Sequence, residues 1–173
     1  QLGSDGLGAC NRPEKARCAA EESIDAIKEM LNDGTRMVFI TAGMGGGTGT
    51  GASPIVAEIA KEMGILTVGI VTIPFAFEGP KKIQKAMNGV AELAAQVDAI
   101  VVINNEKLRQ IYSDFNLLNA FSKSDDVVAN AARSIAEIIT NPGYINTDFT
   151  DVYNTLVGGD ASIISVGTAS GDN

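Results

Sequence analysis

The sequence contains no histidine and only two cysteines, Cys10 and Cys18, among its 173 residues. Histidine is the side chain most often used to activate water, so any hydrolytic chemistry here needs another group. The two cysteines lack the paired spacing of a zinc site and of a disulfide framework. We therefore expect two free thiols in a reducing cytoplasm.

Basic residues are also scarce, since 13 lysines and arginines stand against 21 acids and give a formal net charge of -8. Nucleic-acid-binding surfaces usually carry a basic patch, which this balance argues against. No apolar run approaches the roughly 18 residues of a membrane-spanning helix, and no signal-peptide pattern opens the chain. The sequence thus predicts neither nucleic-acid binding nor direct membrane insertion.

Glycine, in contrast, is abundant, with 19 residues, and it is concentrated in the segment GMGGGTGTG at 43–51. This segment follows an apolar run predicted to be a strand and precedes a predicted helix, in which Ser53 is a candidate N-cap and Pro54 suits the first turn. Glycines let the backbone approach a ligand, and the amides at a helix start attract anions. The pattern indicates a phosphate-binding loop, although a flexible linker or a tight turn has a similar composition.

Strands and helices alternate along the chain. The predicted elements are helix 13–31, strand 37–42, helix 53–63, strand 66–73, helix 80–96, strand 99–103, helix 105–112, helix 117–140, helix 148–157 and strand 161–167. This alternation predicts a Rossmann-like α/β fold with a parallel sheet, in which ligands bind at the carboxyl ends of the strands. The long helix 117–140 is apolar on several sides, so we expect it to be buried between two layers.

The two common phosphate-loop patterns do not fit the glycine segment. The Walker pattern needs a lysine directly after the last glycine, and none occurs before Lys61. The dinucleotide pattern fits only as Gly47-x-Gly49-x-x-Ala52, without the acid expected after the next strand. A Rossmann-type NAD(P)-dependent oxidoreductase remains an alternative on this evidence.

The residues at 45–51, GGGTGTG, match the signature of the tubulin and FtsZ superfamily, and the agreement continues through PFAFEG at 74–79 and NTDFTDV at 146–152. Over essentially all 173 residues the chain resembles the FtsZ family of bacterial cell-division GTPases. The resemblance implies a GTPase domain over 1–140, including the central helix, and a catalytic loop with the start of a truncated second domain over 141–173. Because the family's first phosphate loop is not present, we expect an internal fragment that binds GTP poorly alone.

The resemblance also implies a site for GTP or GDP, with Mg²⁺ accompanying the nucleotide. The implied nucleotide-binding residues are Gly45, Gly46, Gly47, Thr48, Gly49, Thr50, Glu78, Lys82, Asn105, Phe121 and Asp126. In this pattern Glu78 binds the ribose, Phe121 stacks on the base, and Asp126 selects guanine because a carboxylate accepts hydrogen bonds that adenine does not offer. By spacing alone, Glu78 and Asp126 would be ordinary solvated helix acids. Lys82 stands where the family has an arginine.

The implied catalytic residues are Asn146, Asp148 and Asp151, in the family pattern N-x-D-F-x-D. In the family this loop enters the nucleotide site of the next protomer, so the resemblance implies a head-to-tail homopolymer that hydrolyses GTP at formed interfaces. It also implies a cytoplasmic location at the division site and contacts with cell-division proteins through a carboxyl-terminal region. By spacing alone, the two aspartates are acids that favour a helix start. A filament protein that binds nucleotide without hydrolysing it is the nearest alternative.

One loop departs from the family pattern. Residues 8–13 read GACNRP, with Cys10 and Arg12 where the family has glycine and asparagine beside the γ-phosphate. Arg12 is a candidate for a direct phosphate contact.

Overall fold

The computed structural model describes residues 1–3, 8–111, 117–140 and 149–156. Its elements along the chain are helices α1 (Pro13–Glu21) and α2 (Ile24–Leu31), strand β1 (Met37–Gly43), helix α3 (Thr48–Glu62), strand β2 (Leu66–Ile73), a 3₁₀ turn (Ala76–Glu78), helix α4 (Pro80–Ala94), strand β3 (Ala99–Asn104) and helices α5 (Asn105–Ile111), α6 (Leu117–Thr140) and α7 (Phe149–Leu156). The predicted α/β fold is confirmed.

The described strands form a parallel sheet in the order β1-β2-β3. Met37 pairs with Leu66 at the amino end of β1, and Gly43 pairs with Thr72 at its carboxyl end. On the other side of β2, Val68 pairs with Ala99. The carboxyl ends of the strands therefore meet at one edge, which we call the carboxyl edge, and their first residues define the opposite amino edge.

Alternate residues of β2 face two different helical layers, because successive side chains of a strand point to opposite faces. Val71 packs in a cluster with Ala57 of α3 and Leu93 of α4. Val68 and Ile70 pack instead in a cluster with Ile135 of α6. Helices thus cover both faces of the central strand, which explains its continuous apolar sequence.

Several element bounds differ from those predicted. The helix predicted over 13–31 is divided at residues 22–23, where the hydroxyl of Ser23 donates to the carbonyl of Ala19 and accepts from the amide of Gly3. Helix α3 begins at Thr48, so Ser53 and Pro54 lie inside it instead of at its start. Ser53 and Pro54 favoured a helix start at residue 53, because both residue types are common at helix starts. The end of the glycine segment instead forms the first turn of α3.

Helix α6 has the predicted bounds but only one covered face among the described residues. Val127, Ala131 and Ile135 pack against the sheet, whereas Ile138 is exposed. The predicted strand 161–167 and the residues of the proposed second layer lie outside the described residues, and the domain division at residue 140 stays a prediction. In the part of the chain that the structure describes, no helix is long and apolar enough to span a bilayer.

Candidate functional site

A cavity of about 360 Å³ opens at the carboxyl edge of the sheet. Its walls come from the ends of β1 and β2, the glycine segment, the start of α4, and one face of α6. The lining residues are Thr41, Ala42, Gly43, Met44, Gly46, Thr72, Pro74, Glu78, Lys82, Asn105, Phe121, Ser124, Asp125 and Val128. The cavity thus lies where parallel α/β sheets bind ligands.

The glycine segment is held close to its neighbours because several of its glycines have no room for a side chain, as Gly45 and Gly47 illustrate. Gly45 has a φ of 95°, and a Cβ there would lie 2.7 Å from the carbonyl oxygen of Lys82. A Cβ on Gly47 would lie 2.8 Å from the Cβ of Ala9. These glycines bring the segment against α4 on one side and against the loop before α1 on the other.

Thr48 and Thr50 do not line the cavity. Their hydroxyl groups instead accept hydrogen bonds from backbone amides of neighbouring segments. Thr50 is buried, and its hydroxyl accepts a hydrogen bond of 2.9 Å from the amide of Gly45. The hydroxyl of Thr48 accepts a hydrogen bond of 3.5 Å from the amide of Ala9. Because α3 starts here, its first amides have no acceptor within the helix, and the positive end of its dipole faces the cavity edge. This arrangement suits an anion such as phosphate.

Glu78 and Lys82 occupy one wall and form an ion pair with each other. The second carboxylate oxygen of Glu78 accepts a hydrogen bond of 3.0 Å from the amide of Phe75. The side chain of Glu78 is only 14% exposed, so these partners fix its position beside the cavity. Lys82 is 39% exposed and places a positive charge next to the glycine segment.

The opposite wall combines a buried amide with one face of α6. The side-chain oxygen of Asn105 accepts a hydrogen bond of 2.7 Å from the hydroxyl of Ser124, and both residues are buried. Phe121 is 49% exposed and meets the ring of Phe75 edge-on, at 5.4 Å between centroids. An exposed aromatic face next to buried polar groups is a suitable platform for a planar heterocycle.

The acid on this wall is Asp125, whereas Asp126 is not among the lining residues. The carboxylate of Asp126 lies 3.9 Å from the ammonium group of Lys123 and is 60% exposed. Helical geometry explains the difference, because residues three, four and seven positions after Phe121 share its face. That periodicity selects Ser124, Asp125 and Val128, and it would have favoured Asp125 over Asp126 from sequence alone. Nothing else in the sequence indicated that Ser124 would be buried at the cavity.

The loop between β2 and α4 is tied to α5 through Glu106. The carboxylate of Glu106 accepts hydrogen bonds of 2.8 Å from Nε of Arg109 and 3.1 Å from the amide of Ala76. The bond from Arg109, and after it the bond from the Ala76 amide, lower the pKa of Glu106 below its ordinary value. The carboxylate therefore stays ionised and holds the cavity rim at neutral pH.

Arg12 does not line this cavity. It lies at a second cavity of about 480 Å³, whose walls also include Arg17, Lys85 and Glu92. The phosphate contact predicted for Arg12 would therefore have to come from outside the wall of the cavity at the carboxyl edge.

Asp151 lies in α7, near the amino edge of the sheet. The guanidinium carbon of Arg36, which directly precedes β1, is 4.1 Å from the centre of the Phe149 ring, and Phe149 begins α7. Asp151 itself is exposed. Since β1 has seven residues, the two edges are separated by roughly 20 Å of strand. Asn146 and Asp148 lie outside the described residues.

Among the described residues, no group of three or more acids, cysteines or histidines is placed to hold a metal ion.

Comparisons with known proteins agree with this geometry. Residues 1–113 match the model of the Tubulin/FtsZ family, GTPase domain. The chain is 58% identical over 169 residues to the cell division protein FtsZ of Porphyromonas gingivalis, covering 97% of the chain and 37% of that protein. It is 54% identical over 177 residues to the cell division protein FtsZ of Pseudomonas putida, covering 100% of the chain and 44% of that protein.

Solved structures give the same result. The structure titled "FtsZ dimer, empty (M. jannaschii)" superposes with a TM-score of 0.86 at 45% identity, covering 91% of this chain and 47% of that one. CetZ from Methanosaeta thermophila shares the fold, with a TM-score of 0.70 at 24% identity over 89% of this chain and 43% of that one. The chain spans less than half the length of the relatives named here.

Proposed function

The chain belongs to the tubulin/FtsZ family, and on this premise we propose that it is part of a self-polymerising GTPase of bacterial cell division. It binds GTP at the carboxyl edge, assembles head to tail, and hydrolyses GTP at the interface between protomers. The similarity to cell division proteins of two bacteria supports the cellular role. A cytoplasmic location at the division site and contacts with other division proteins belong to the same proposal.

Guanine occupies the wall formed by Asn105, Phe121 and α6 in this proposal. A carboxylate there accepts hydrogen bonds from the N1–H and the exocyclic amine of guanine, and adenine lacks that pair of donors. The position of Asp125 on the cavity wall supports it for this role in preference to Asp126. Phe121 stacks on the base, and the bond from Ser124 orients Asn105.

Ribose and phosphates follow the other wall toward the glycine segment. Glu78 accepts hydrogen bonds from the ribose, and Lys82 supplies a charge to the phosphates; as a lysine it lacks the two-pronged geometry of an arginine. The glycines from Gly45 to Gly49 and the start of α3 receive the phosphates through backbone amides. Mg²⁺, which offsets phosphate charge during hydrolysis, is held chiefly by the nucleotide itself in this proposal.

One observation carries the proposal of shared hydrolysis: the cavity and Asp151 lie at opposite edges of the same sheet. An acid separated from the cavity by the length of β1 does not reach the nucleotide bound by its own chain. In a head-to-tail contact, the amino edge of one protomer meets the carboxyl edge of the next, and a heterologous contact of this kind continues as a filament. Asp148 and Asp151 then polarise the attacking water, and Asn146 positions them.

The test is the rate of phosphate release per molecule as the concentration of the full-length protein rises, with assembly followed by light scattering. We expect the rate to rise with assembly and to become constant once all protomers lie in filaments. A rate independent of concentration while assembly changes would contradict shared hydrolysis. Assembly with GTP but without phosphate release would favour the non-hydrolysing filament protein.

A further inference from the structure

One face of helix α4 packs against the glycine segment and against the loop that precedes α1. A Cβ on Gly45 would lie 2.7 Å from the carbonyl oxygen of Lys82, and a Cβ on Gly89 would lie 2.5 Å from Cγ2 of Thr50. Lys85 lies between these two positions. Residues at i, i+3 and i+7 share a helix face, so Lys85 points to the same side as both contacts.

Lys85 uses this position to hold the loop at 8–12. Its ammonium group donates hydrogen bonds of 2.8 Å to the carbonyl oxygen and 3.2 Å to the side-chain oxygen of Asn11. Cys10 and Asn11 have φ values of 48° and 64°. Two successive side-chain-bearing residues in the left-handed region are unfavourable and persist only when neighbouring groups hold them. Lys85 is such a group.

The held loop lies directly against the glycine segment. A Cβ on Gly47 would lie 2.9 Å from the amide nitrogen of Arg12 and 3.1 Å from that of Asn11. Ala9 fixes the other side of the loop, because it is buried in a cluster of alanines with Ala16 and Ala52. The loop therefore covers Gly47, which directly precedes α3 and follows Gly46 of the nucleotide cavity wall.

We propose that Lys85 is a positioning residue that holds the loop at 8–12 over the phosphate end of the nucleotide site, and so favours nucleotides with a third phosphate. The inference rests on the proposed GTP binding and goes beyond it, because Lys85 lines the second cavity and not the nucleotide cavity. A nucleotide with two phosphates ends before the loop and depends less on Lys85. Asn11 is the partner through which Lys85 acts.

The experiment compares Lys85→Met with Lys81→Met in the full-length protein, using equilibrium binding of GTP and of GDP. Methionine keeps the length of the side chain and removes its charge, and Lys81 is an exposed lysine on the same helix outside the nucleotide cavity. We expect Lys85→Met to weaken GTP binding about five- to ten-fold and GDP binding by less than about two-fold, since hydrogen bonds from charged groups are the stronger class. Lys81→Met should leave both affinities unchanged.

Two further measurements separate positioning from a general effect on folding. Lys85→Arg keeps a cation that can reach the Asn11 carbonyl, so it should restore most of the preference for GTP. The melting temperature of Lys85→Met should stay close to that of Lys81→Met. An equal loss of GTP and GDP affinity, or an unchanged ratio of the two, would overturn the assignment of Lys85. If the unmodified protein binds neither nucleotide, the proposed function fails first and the assignment fails with it.

Discussion

The two edges of the sheet differ in what they present. The carboxyl edge has a walled cavity in which the polar groups Glu78, Asn105 and Ser124 already have hydrogen-bond partners. The amino edge has an exposed acid, Asp151, on a helix contacted by Arg36. The carboxyl edge is therefore suited to hold a ligand, and the amino edge carries an exposed carboxylate. This difference is what a filament with a divided active site requires.

The largest effect should come from Asp151→Ala. Removing a carboxylate that polarises the attacking water should lower the rate of phosphate release about 100-fold or more, because electrostatic and proton-transfer contributions have this size. GTP affinity should change less than about two-fold, since the binding cavity lies at the other edge. Asp25→Ala, at an exposed acid on α2, is the control. Hydrolysis at an unchanged rate in Asp151→Ala would remove the role of the amino edge.

Mixing two variants tests directly whether the edges of different protomers cooperate. Asp151→Ala keeps its cavity, and Asp125→Ala keeps its acid but is expected to bind GTP weakly. At a GTP concentration that fills only the first variant, the mixture should release phosphate faster than the sum of the separate proteins. A rate equal to that sum would show that Asp151 does not serve a neighbouring cavity.

The next effect concerns the choice between Asp125 and Asp126. Asp125→Ala should weaken GTP binding about 30-fold, because guanine donors would be left without an acceptor, while Asp126→Ala should change it less than about two-fold. Asp125→Asn offers a sharper test, because an amide prefers the N1 and carbonyl pattern of xanthine to that of guanine. Its preference should shift toward xanthosine triphosphate. The same shift in Asp126→Asn instead would restore the assignment made from the family pattern.

A smaller effect is expected from the packing of the glycine segment. Gly45→Ala should lower the free energy of unfolding by about 2 kcal/mol, because the residue has a positive φ and its Cβ would meet the backbone of α4. Gly46→Ala should cost less than about 1 kcal/mol, since a Cβ there has no neighbour within 4 Å. Urea denaturation of the two variants measures the difference. Equal losses would mean that the segment is not held in this conformation.

Much of the carboxyl edge could be predicted from the sequence, because its determinants are local. Continuous apolar strands and a glycine segment at a strand-to-helix turn are enough to place the cavity. The prediction for the start of α3 was wrong, since Ser53 and Pro54 are a good capping pair, whereas the helix starts at Thr48 among glycines that pack closely against their neighbours.

Contacts between residues far apart in the chain could not be predicted from local sequence patterns. Lys85 and Asn11 are separated by 74 positions, so nothing in their spacing indicates that they meet. The contact between Arg36 and Phe149 is of the same kind. The choice between Asp125 and Asp126 is different: helical periodicity favours Asp125, which lines the cavity, whereas the family pattern favours Asp126, and that assignment stays a prediction. Local patterns therefore predicted where the cavity lies, whereas the contacts that hold its surroundings join residues far apart in the chain.

The smallest effect is a pH dependence confined to the carboxyl edge. Because Arg109 and the Ala76 amide lower the pKa of Glu106 from 4.5, its carboxylate stabilises the folded rim at and above that pH, and the stabilisation is lost as the pH falls through the lower folded-state value. The Glu106 side chain is 23% exposed and its partner Arg109 is 53% exposed, so solvent screens the effect. Glu106→Gln should make stability depend slightly less on pH below about 4.5, as measured by urea denaturation between about pH 3 and 7. Identical pH profiles for the two proteins would mean that the tie between Ala76 and α5 does not contribute to the rim, and that the cavity wall is held by the buried pair of Asn105 and Ser124 instead.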